Sequence, residues 1–483
     1  MHPRQIGLRC TPQPPRQVQW RVYAIVASHY ELSPEAIAMI SRRHFFYGSL
    51  LAGAVPTTGF GSTPSLKRLG YKSPNEKLNI ASVGAGGRAF ADIEECSNEN
   101  IVALCDPDEK RAEKGFKLYP NVPKYKDFRV MLDKEGKNID AVIVACPDHV
   151  HGSAANWAMT RGKHVYCEKP LTRTVWEAQQ LTLSAEKYGV ATQMGNQGYS
   201  NEGARECCEM IWSGAIGNVT EVHAWTNRPW AYWPQGPEVE PKEEPIPSTL
   251  DWDAWQADAE PRPYSSAYVP HNWRAFPEYG CGAIGDMACH ILGTPNMALK
   301  LAGPTSVECL LQEGKGKHTF PKKSVIRFDF PARGAMAPVK IFWHDGLETV
   351  PKFDGVPDGE LIGDKDVNGS LFIGEKGLIT TGCYGERTRL VPASKMADYK
   401  LPPKLLTRSP GHHQDWIRAC KGGEPSCSNF SVAGPFVQWM LLGTIAMRFD
   451  GLLAWDAQKG VFTNNKEANQ FLKPKFRKGW KFA

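Results

Sequence analysis

Asn79-Ile-Ala-Ser-Val-Gly-Ala-Gly-Gly-Arg88 is the stretch that decides the fold. A short apolar run, Leu78–Val83, stops at Gly84 and gives way at once to a helical pattern, which reads as a β-strand feeding directly into a helix. The turn Gly84-Ala-Gly-Gly-Arg-Ala89 has the spacing G-x-G-x-x-A, with Gly87 added. Gly84 permits the tight turn, Gly86 lets backbone N–H groups approach a pyrophosphate, and small Ala89 lets the helix pack close to the strand. A glycine turn alone says little. It says more here because Asp106 ends the next apolar run, twenty residues after Gly86. A carboxylate there accepts hydrogen bonds from the adenosine ribose hydroxyls and repels a 2′-phosphate. The expected cofactor is therefore a dinucleotide, NAD in preference to NADP, held by Gly84, Gly86, Gly87, Arg88 and Asp106. Arg88 and Arg111 pull toward NADP, since either guanidinium could meet a phosphate.

Outward from that turn, apolar runs alternate with helical stretches up to Met194, the pattern of βαβ units on a parallel sheet. The expected strands are Leu78–Val83, Ile101–Cys105, Ala141–Ala145, His164–Glu168 and Val190–Met194. The clearest helix start is the capping box Thr174-Val-Trp-Glu177. Residues 76–200 thus read as a Rossmann domain. A chain of 483 residues needs more than one core, and residues 201–483 read as a second α/β domain. Within it Ile326-Arg-Phe-Asp-Phe330 and Val339-Lys-Ile-Phe-Trp343 alternate as half-buried strands do, and Gly374-Glu-Lys-Gly377 makes a hairpin turn.

Upstream, Ser41-Arg-Arg-His-Phe places two arginines before a short apolar run that ends in Ala52-Gly-Ala54, the arrangement of a twin-arginine export signal. Residues 39–75 are read as that signal and a linker, and residues 1–38 as a doubtful extension ahead of Met39. The expected location is periplasmic or otherwise extracytoplasmic, and cytoplasmic if the signal is not used. Composition argues against other classes. With 42% apolar and 22% charged residues and a mean hydropathy of −0.40, no membrane bundle is expected. The 57 basic and 51 acidic side chains form no Lys/Arg block, so nucleic acid is not an expected partner. The 13 cysteines include no C-x-x-C pair, and no metal site is expected.

Three constellations remain for chemistry. The fourth strand runs into Glu168-Lys-Pro170, putting Lys169 at the carboxyl edge of a parallel sheet, where ligands of open α/β folds bind. A strand-end lysine is as often plain solvated surface. Asp286 and His290 lie four apart in Gly285-Asp-Met-Ala-Cys-His290 and would share one face of a helix. There a histidine can take a proton from a substrate hydroxyl while a carboxylate orients it, although an i,i+4 surface pair would look the same. Finally, His149 and His151 follow the third strand near the expected nicotinamide position, where they could touch cofactor or pack in the core.

Together these motifs resemble the Gfo/Idh/MocA oxidoreductase family, relatives of glucose–fructose oxidoreductase and inositol 2-dehydrogenase, through Gly84-Ala-Gly86 with Asp106, Glu168-Lys-Pro170 and Gly285-Asp286-x-x-x-His290. The remainder resembles a bacterial subgroup with twin-arginine signals, through Met194-Gly-Asn-Gln-Gly198, Asn227-Arg-Pro-Trp230 and Glu467-Ala-Asn-Gln-Phe-Leu472. The resemblance implies a Rossmann domain followed by an α/β domain with a large, mostly antiparallel open sheet, often used for homo-oligomer contacts in dimers or tetramers. It implies that Lys169 bonds the reacting oxygen, that His290 is general base and acid, that Asp286 assists it, and that Glu168 helps hold Lys169 and the nicotinamide ribose. His149 joins the expected cofactor set, and Asn196, Gln197 and Arg274 are the first substrate contacts to consider. The implied activity is NAD-dependent oxidation of a hydroxyl on a sugar, polyol or cyclitol. Two alternatives stay open: glycoside cleavage through transient C3 oxidation and elimination, and a non-catalytic sugar-binding protein.

Overall fold

The computed structural model of the protein describes residue 73 and residues 75–482. The expected extension, the expected export signal and almost all of the expected linker fall outside the described residues.

The first sheet has six parallel strands: β1 (Asn79–Val83), β2 (Asn100–Cys105), β3 (Lys124–Tyr125), β4 (Ala141–Val144), β5 (His164–Glu168) and β6 (Thr192–Gly195). Their order, β3-β2-β1-β4-β5-β6, is that of a Rossmann fold. β4 and β5 are buried at every position, as strands covered on both faces must be. The covering helices are α1 (Arg88–Glu95), α2 (Glu109–Leu118), α3 (Phe128–Glu135), α4 (Asp148–Met159) and α5 (Val175–Tyr188). The expected capping box is present at α5: the Thr174 hydroxyl accepts from Glu177 N, and the Glu177 carboxylate accepts from Thr174 N at 3.0 Å. Only β3 lacked a signal, because two residues carry no periodicity.

After α6 (Glu202–Trp212) comes a nine-stranded mixed sheet built from β7 (Val219–Trp225), β8 (Ser306–Glu313), β9 (Lys323–Phe330), β10 (Val339–Asp345), β11 (Gly369–Gly374), β12 (Gly377–Thr381), β13 (Arg389–Val391), β14 (Leu453–Asp456) and β15 (Val461–Phe462). The order is β13-β12-β11-β7-β10-β9-β8-β14-β15, antiparallel throughout except where β7 runs parallel to β10. Along β9 buried and half-buried residues alternate, and Gly374 pairs with Gly377 at the β11–β12 turn, as the sequence pattern implies.

Two late helices return to the Rossmann half. α7 (His412–Cys420) lays His413 flat on Tyr166 of β5 at 4.7 Å and sets Trp416 edge-on to it at 5.6 Å. α8 (Phe430–Ala446) is buried on nearly every side. It lies close on α5 because Gly434 has no side chain: a Cβ there would come within 1.8 Å of Thr182 Oγ1. No helix among the described residues is long and apolar enough to cross a membrane.

The end of the chain also folds back. The guanidinium of Arg129 sits 3.7 Å over the Trp480 ring, Trp176 meets Phe482 at 5.0 Å, and Arg477 pairs with Asp253 at 2.7 Å. Trp480→Ala removes its ring contact with Phe128, at 5.9 Å, together with the cation–π pair, and is expected to cost about 2 kcal/mol. A urea-unfolding midpoint equal to that of the parent protein would show that this tail adds nothing to stability.

Candidate active site

The glycine turn forms a cradle that side chains would fill. A Cβ at Gly84, where φ is +100°, would sit 2.5 Å from the Ala145 carbonyl oxygen, and one at Gly86 would sit 1.9 Å from that of Arg111. Gly87 caps α1 with no side-chain hydrogen bond, and the first turn contains no acidic residue. The N–H groups that open α1 are thus left for an anion, and the fit to a pyrophosphate is good. Asp106 ties the cradle to the end of β2. Its Oδ2 accepts from Ala85 N and its Oδ1 from Asp108 N, each at 3.0 Å, while burial pushes its pKa up to about 6. Each oxygen keeps a further lone pair for a ribose hydroxyl. The two arginines divide differently from expectation. Arg111 lies over the turn, its Nη2 within 2.3 Å of a Cβ built on Gly87. Arg88 turns away to Glu168 at 3.0 Å and Asp92 at 2.7 Å. Burial would lower the Arg88 pKa, but those two carboxylates hold it above the ordinary guanidinium value.

At the end of β5, Lys169 Nζ donates to Asp286 Oδ1 at 2.7 Å and to the Asp286 carbonyl at 2.8 Å. Arg228 Nη1 and Arg274 Nε reach the same carboxylate, each at 3.3 Å. Asp286 is only 7% exposed. Burial alone would raise its pKa, yet the Lys169, Arg274 and Arg228 charges hold it far below the carboxylate range. His290 is buried too, and its Nδ1 has no hydrogen-bond partner. The Tyr384 ring meets it edge-on at 4.8 Å. Burial first, and then the Lys169 charge, push its pKa well below the imidazole range, so it is neutral.

The expected Asp286–His290 pair is therefore corrected: no hydrogen bond or ion pair joins them, and Asp286 is spent on the three cations. The cause is local. Ile284–Ala288 winds as a π-turn before the short helix Cys289–Ile291, and the i,i+4 rule assumes an unbroken α-helix.

Glu168 braces the other side of the strand end. Its Oε1 accepts from Arg88 Nε at 3.0 Å and from Gln197 Nε2 at 3.1 Å, and its Oε2 from Lys169 N at 3.1 Å. Gln197 also donates to the Tyr166 hydroxyl at 3.1 Å, so it supports this network. Asn196 has no exposure; its Nδ2 reaches the Cys289 carbonyl at 3.4 Å and its Oδ1 has no partner. It backs the His290 segment and does not face open space. Arg274 does stand in the cluster, stacked over Trp273 at 4.2 Å. His149 does not. It is 1% exposed, wedged between Trp255 and Tyr279 and bonded to the Trp255 carbonyl at 3.0 Å, and burial pushes its pKa down to about 3. His151 clamps the turn after Lys169, its Nδ1 2.7 Å from the Pro170 carbonyl; the Lys169–Pro170 peptide is cis.

Sequence reading assigned no role to Arg228, Tyr384, Asp92 or His413. Arg228 had a local signal, a cation inside an aromatic-rich loop. His413, 3.0 Å from buried Asp92, arrives from α7, and Tyr384 from the loop after β12; neither has any local signal.

Comparison with known proteins agrees with the fold. Residues 78–196 match the family model described as "Oxidoreductase family, NAD-binding Rossmann fold", and residues 203–309 the model described as "Oxidoreductase family, C-terminal alpha/beta domain". The chain is 30% identical to inositol 2-dehydrogenase of Salmonella typhimurium over 26% of its own length and 38% of the relative's. It is 28% identical to a glycosyl hydrolase family 109 protein of Solibacter usitatus, over 37% and 44%. These matches thus span less than half of each relative. The WlbA dehydrogenase of Bordetella pertussis, solved with NADH and UDP-GlcNAcA, shares the fold with a TM-score of 0.54 at 16% identity, over 79% of this chain and 99% of that one. With its Rossmann sheet, glycine cradle and following mixed sheet, the chain matches the models of the Gfo/Idh/MocA oxidoreductase family over residues 78–196 and 203–309.

Proposed function

We propose that the protein is an NAD-dependent oxidoreductase that reversibly oxidises a hydroxyl of a sugar, polyol or cyclitol. The observation that carries this reading is the juxtaposition of Lys169, fixed on an always-charged Asp286, with a buried neutral His290. Lys169 spends two of its three N–H donors on Asp286 and has one for the reacting oxygen. Its charge stabilises the alkoxide that forms as the hydroxyl loses its proton. His290, neutral, accepts that proton and returns it in the reverse direction. Asp286 is a positioning residue that keeps the ammonium in place, and Glu168 holds the adjoining backbone N–H. When bound, NAD would accept the hydride from the carbon that carries the hydroxyl.

A second reading uses the same groups for glycoside cleavage by transient C3 oxidation and elimination. The similarity to a glycosyl hydrolase family 109 protein supports it. So does export, which we also propose, on the strength of Arg42 and Arg43 ahead of the apolar run, because free NAD is scarce outside the cytoplasm. Assembly as a homo-oligomer through the open sheet completes the proposal.

Purified protein incubated with NAD and a panel of sugars and aryl glycosides should either accumulate reduced nicotinamide or release aglycone without it. Silence in both assays would leave only a non-catalytic sugar binder. Lys169→Met and His290→Gln should each lower kcat/KM by about a hundredfold or more; near-normal turnover in either sinks its assigned role. Because the His290 pKa is lowered, the neutral base survives as pH falls through the ordinary imidazole value of about 6.5, and the acid limb of kcat/KM should lie below it. A limb at or above that value would contradict a neutral buried base. Gly86→Ala drives a methyl into the Arg111 carbonyl and should abolish NADH binding, read by energy transfer from tryptophan to bound cofactor.

A further inference from the structure

We propose that the groove beginning at Pro229 and Trp230 is a second saccharide subsite, so that the substrate is a glycoside or oligosaccharide of at least two rings. The inference rests on the functional reading above for what happens at the first ring, and on separate observations for the second.

Large aromatic side chains at the surface are scarce: among the described residues those that stand clearly exposed are Tyr188, Trp230, Tyr232, Tyr384 and Phe471. Three of these five belong to the two loops that reach the candidate active site. Tyr384 meets His290, and Tyr232 carries the Arg228 guanidinium 3.3 Å over its ring while that guanidinium reaches Asp286. Trp230, at 62% exposure the most open of the five, has no ring or cation against it among the described residues. It is held out deliberately by its turn. Trp230 N donates to the Asn227 carbonyl at 3.1 Å, Tyr232 N donates to the Pro229 carbonyl at 2.9 Å, and Ala231 between them takes a left-handed φ of +60°. A flat apolar face exposed on such a turn is what the C–H face of a sugar ring stacks upon.

The groove that opens from this face encloses about 800 Å³, toward the top of the range of roughly 300–1,000 Å³ typical of small-molecule sites. It runs over the β8–β9 hairpin and the turn after β10. Its far wall mixes both charges with hydrogen-bonding groups: Lys322 and Lys323, each paired to a glutamate, stand beside Glu348 and Thr349. Near-balanced charge and many donors and acceptors suit a neutral polyhydroxylated ligand better than a phosphate or an acidic peptide. The loop 227–233 supplies both sites, one through Arg228 and the other through Trp230. In this proposal one ring sits at Lys169 and its neighbour lies against Trp230, two residues along the loop from Arg228.

The test compares kcat/KM of the NAD-loaded enzyme for gluco-, galacto- and manno-configured disaccharides with the matching monosaccharides. The expected result is a preference of about tenfold or more for two rings, lost in Trp230→Ala mainly through KM and largely restored in Trp230→Phe. Equal preference for one ring and two, or an equal loss on both in Trp230→Ala, overturns the subsite while leaving the oxidoreductase reading standing. A change of oligomeric state in Trp230→Ala with no change in the ratio would make this face an interface between copies, and also overturns it. Conversely, Trp230-dependent binding of disaccharides, seen by saturation-transfer NMR with neither oxidation nor cleavage, keeps the subsite and sinks the catalytic reading.

Discussion

One buried carboxylate organises this molecule. Asp286 sits in surroundings where an unpaired charge would be lost to protonation. It stays charged because Lys169, Arg228 and Arg274 converge on it. These cations come from the end of β5, the loop after β7, and the segment leading into the π-turn. The cluster therefore joins the Rossmann half to the second half at the carboxyl edge of the parallel sheet, where a bound dinucleotide would expose its reactive ring. Removing Asp286 would leave three partly buried cations facing one another without their shared counter-ion.

The last residue of β5 and the one that follows it divide the labour. Side chains alternate in direction along a strand, so Glu168 and Lys169 contact different neighbours. Lys169 goes to Asp286; Glu168 goes to Arg88, which goes to Asp92, which meets His413 at 3.0 Å. Burial and the Glu168 charge push the Asp92 pKa up to about 6, yet Arg88 and His413 face it as partners. α7 thereby reaches the first helix of the cofactor cradle through a line of polar side chains, stiffened by the stacking of His413 on Tyr166. The cradle and the candidate catalytic lysine are supported from a helix more than two hundred residues downstream of both.

What could be read in the sequence follows from how local each signal is. The glycine turn, Asp106, the strand ends and the α5 capping box are short-range patterns, and the structure has them in place. Lys169 was legible because a strand end on a parallel sheet is already a location. The relation of Asp286 to His290 was not, since a single π-turn changes which residues share a face and leaves no mark in spacing. His149 looked like a cofactor contact until Trp255 and Tyr279, more than a hundred residues away, closed around it. Arg228 and Tyr384 reach the site only because β7 and β12 lie in one sheet, and strand order cannot be read from strand composition.

The same cluster shapes proton transfer. A base that is buried and also stands beside a fixed positive charge is weakened, as His290 is, and weakness looks like a poor choice for removing a hydroxyl proton. But the ammonium that weakens the imidazole would also bond the reacting oxygen and lower the pKa of the hydroxyl, so donor and acceptor shift in the same direction and the gap between them stays small. Once protonated, His290 faces Lys169 as a like charge and gives its proton back readily. The Asp286 charge offsets that repulsion only in part, since burial and Lys169 outweigh it. An arrangement of this kind favours a proton that goes out and returns, as both reversible alcohol oxidation and a redox-neutral cleavage require.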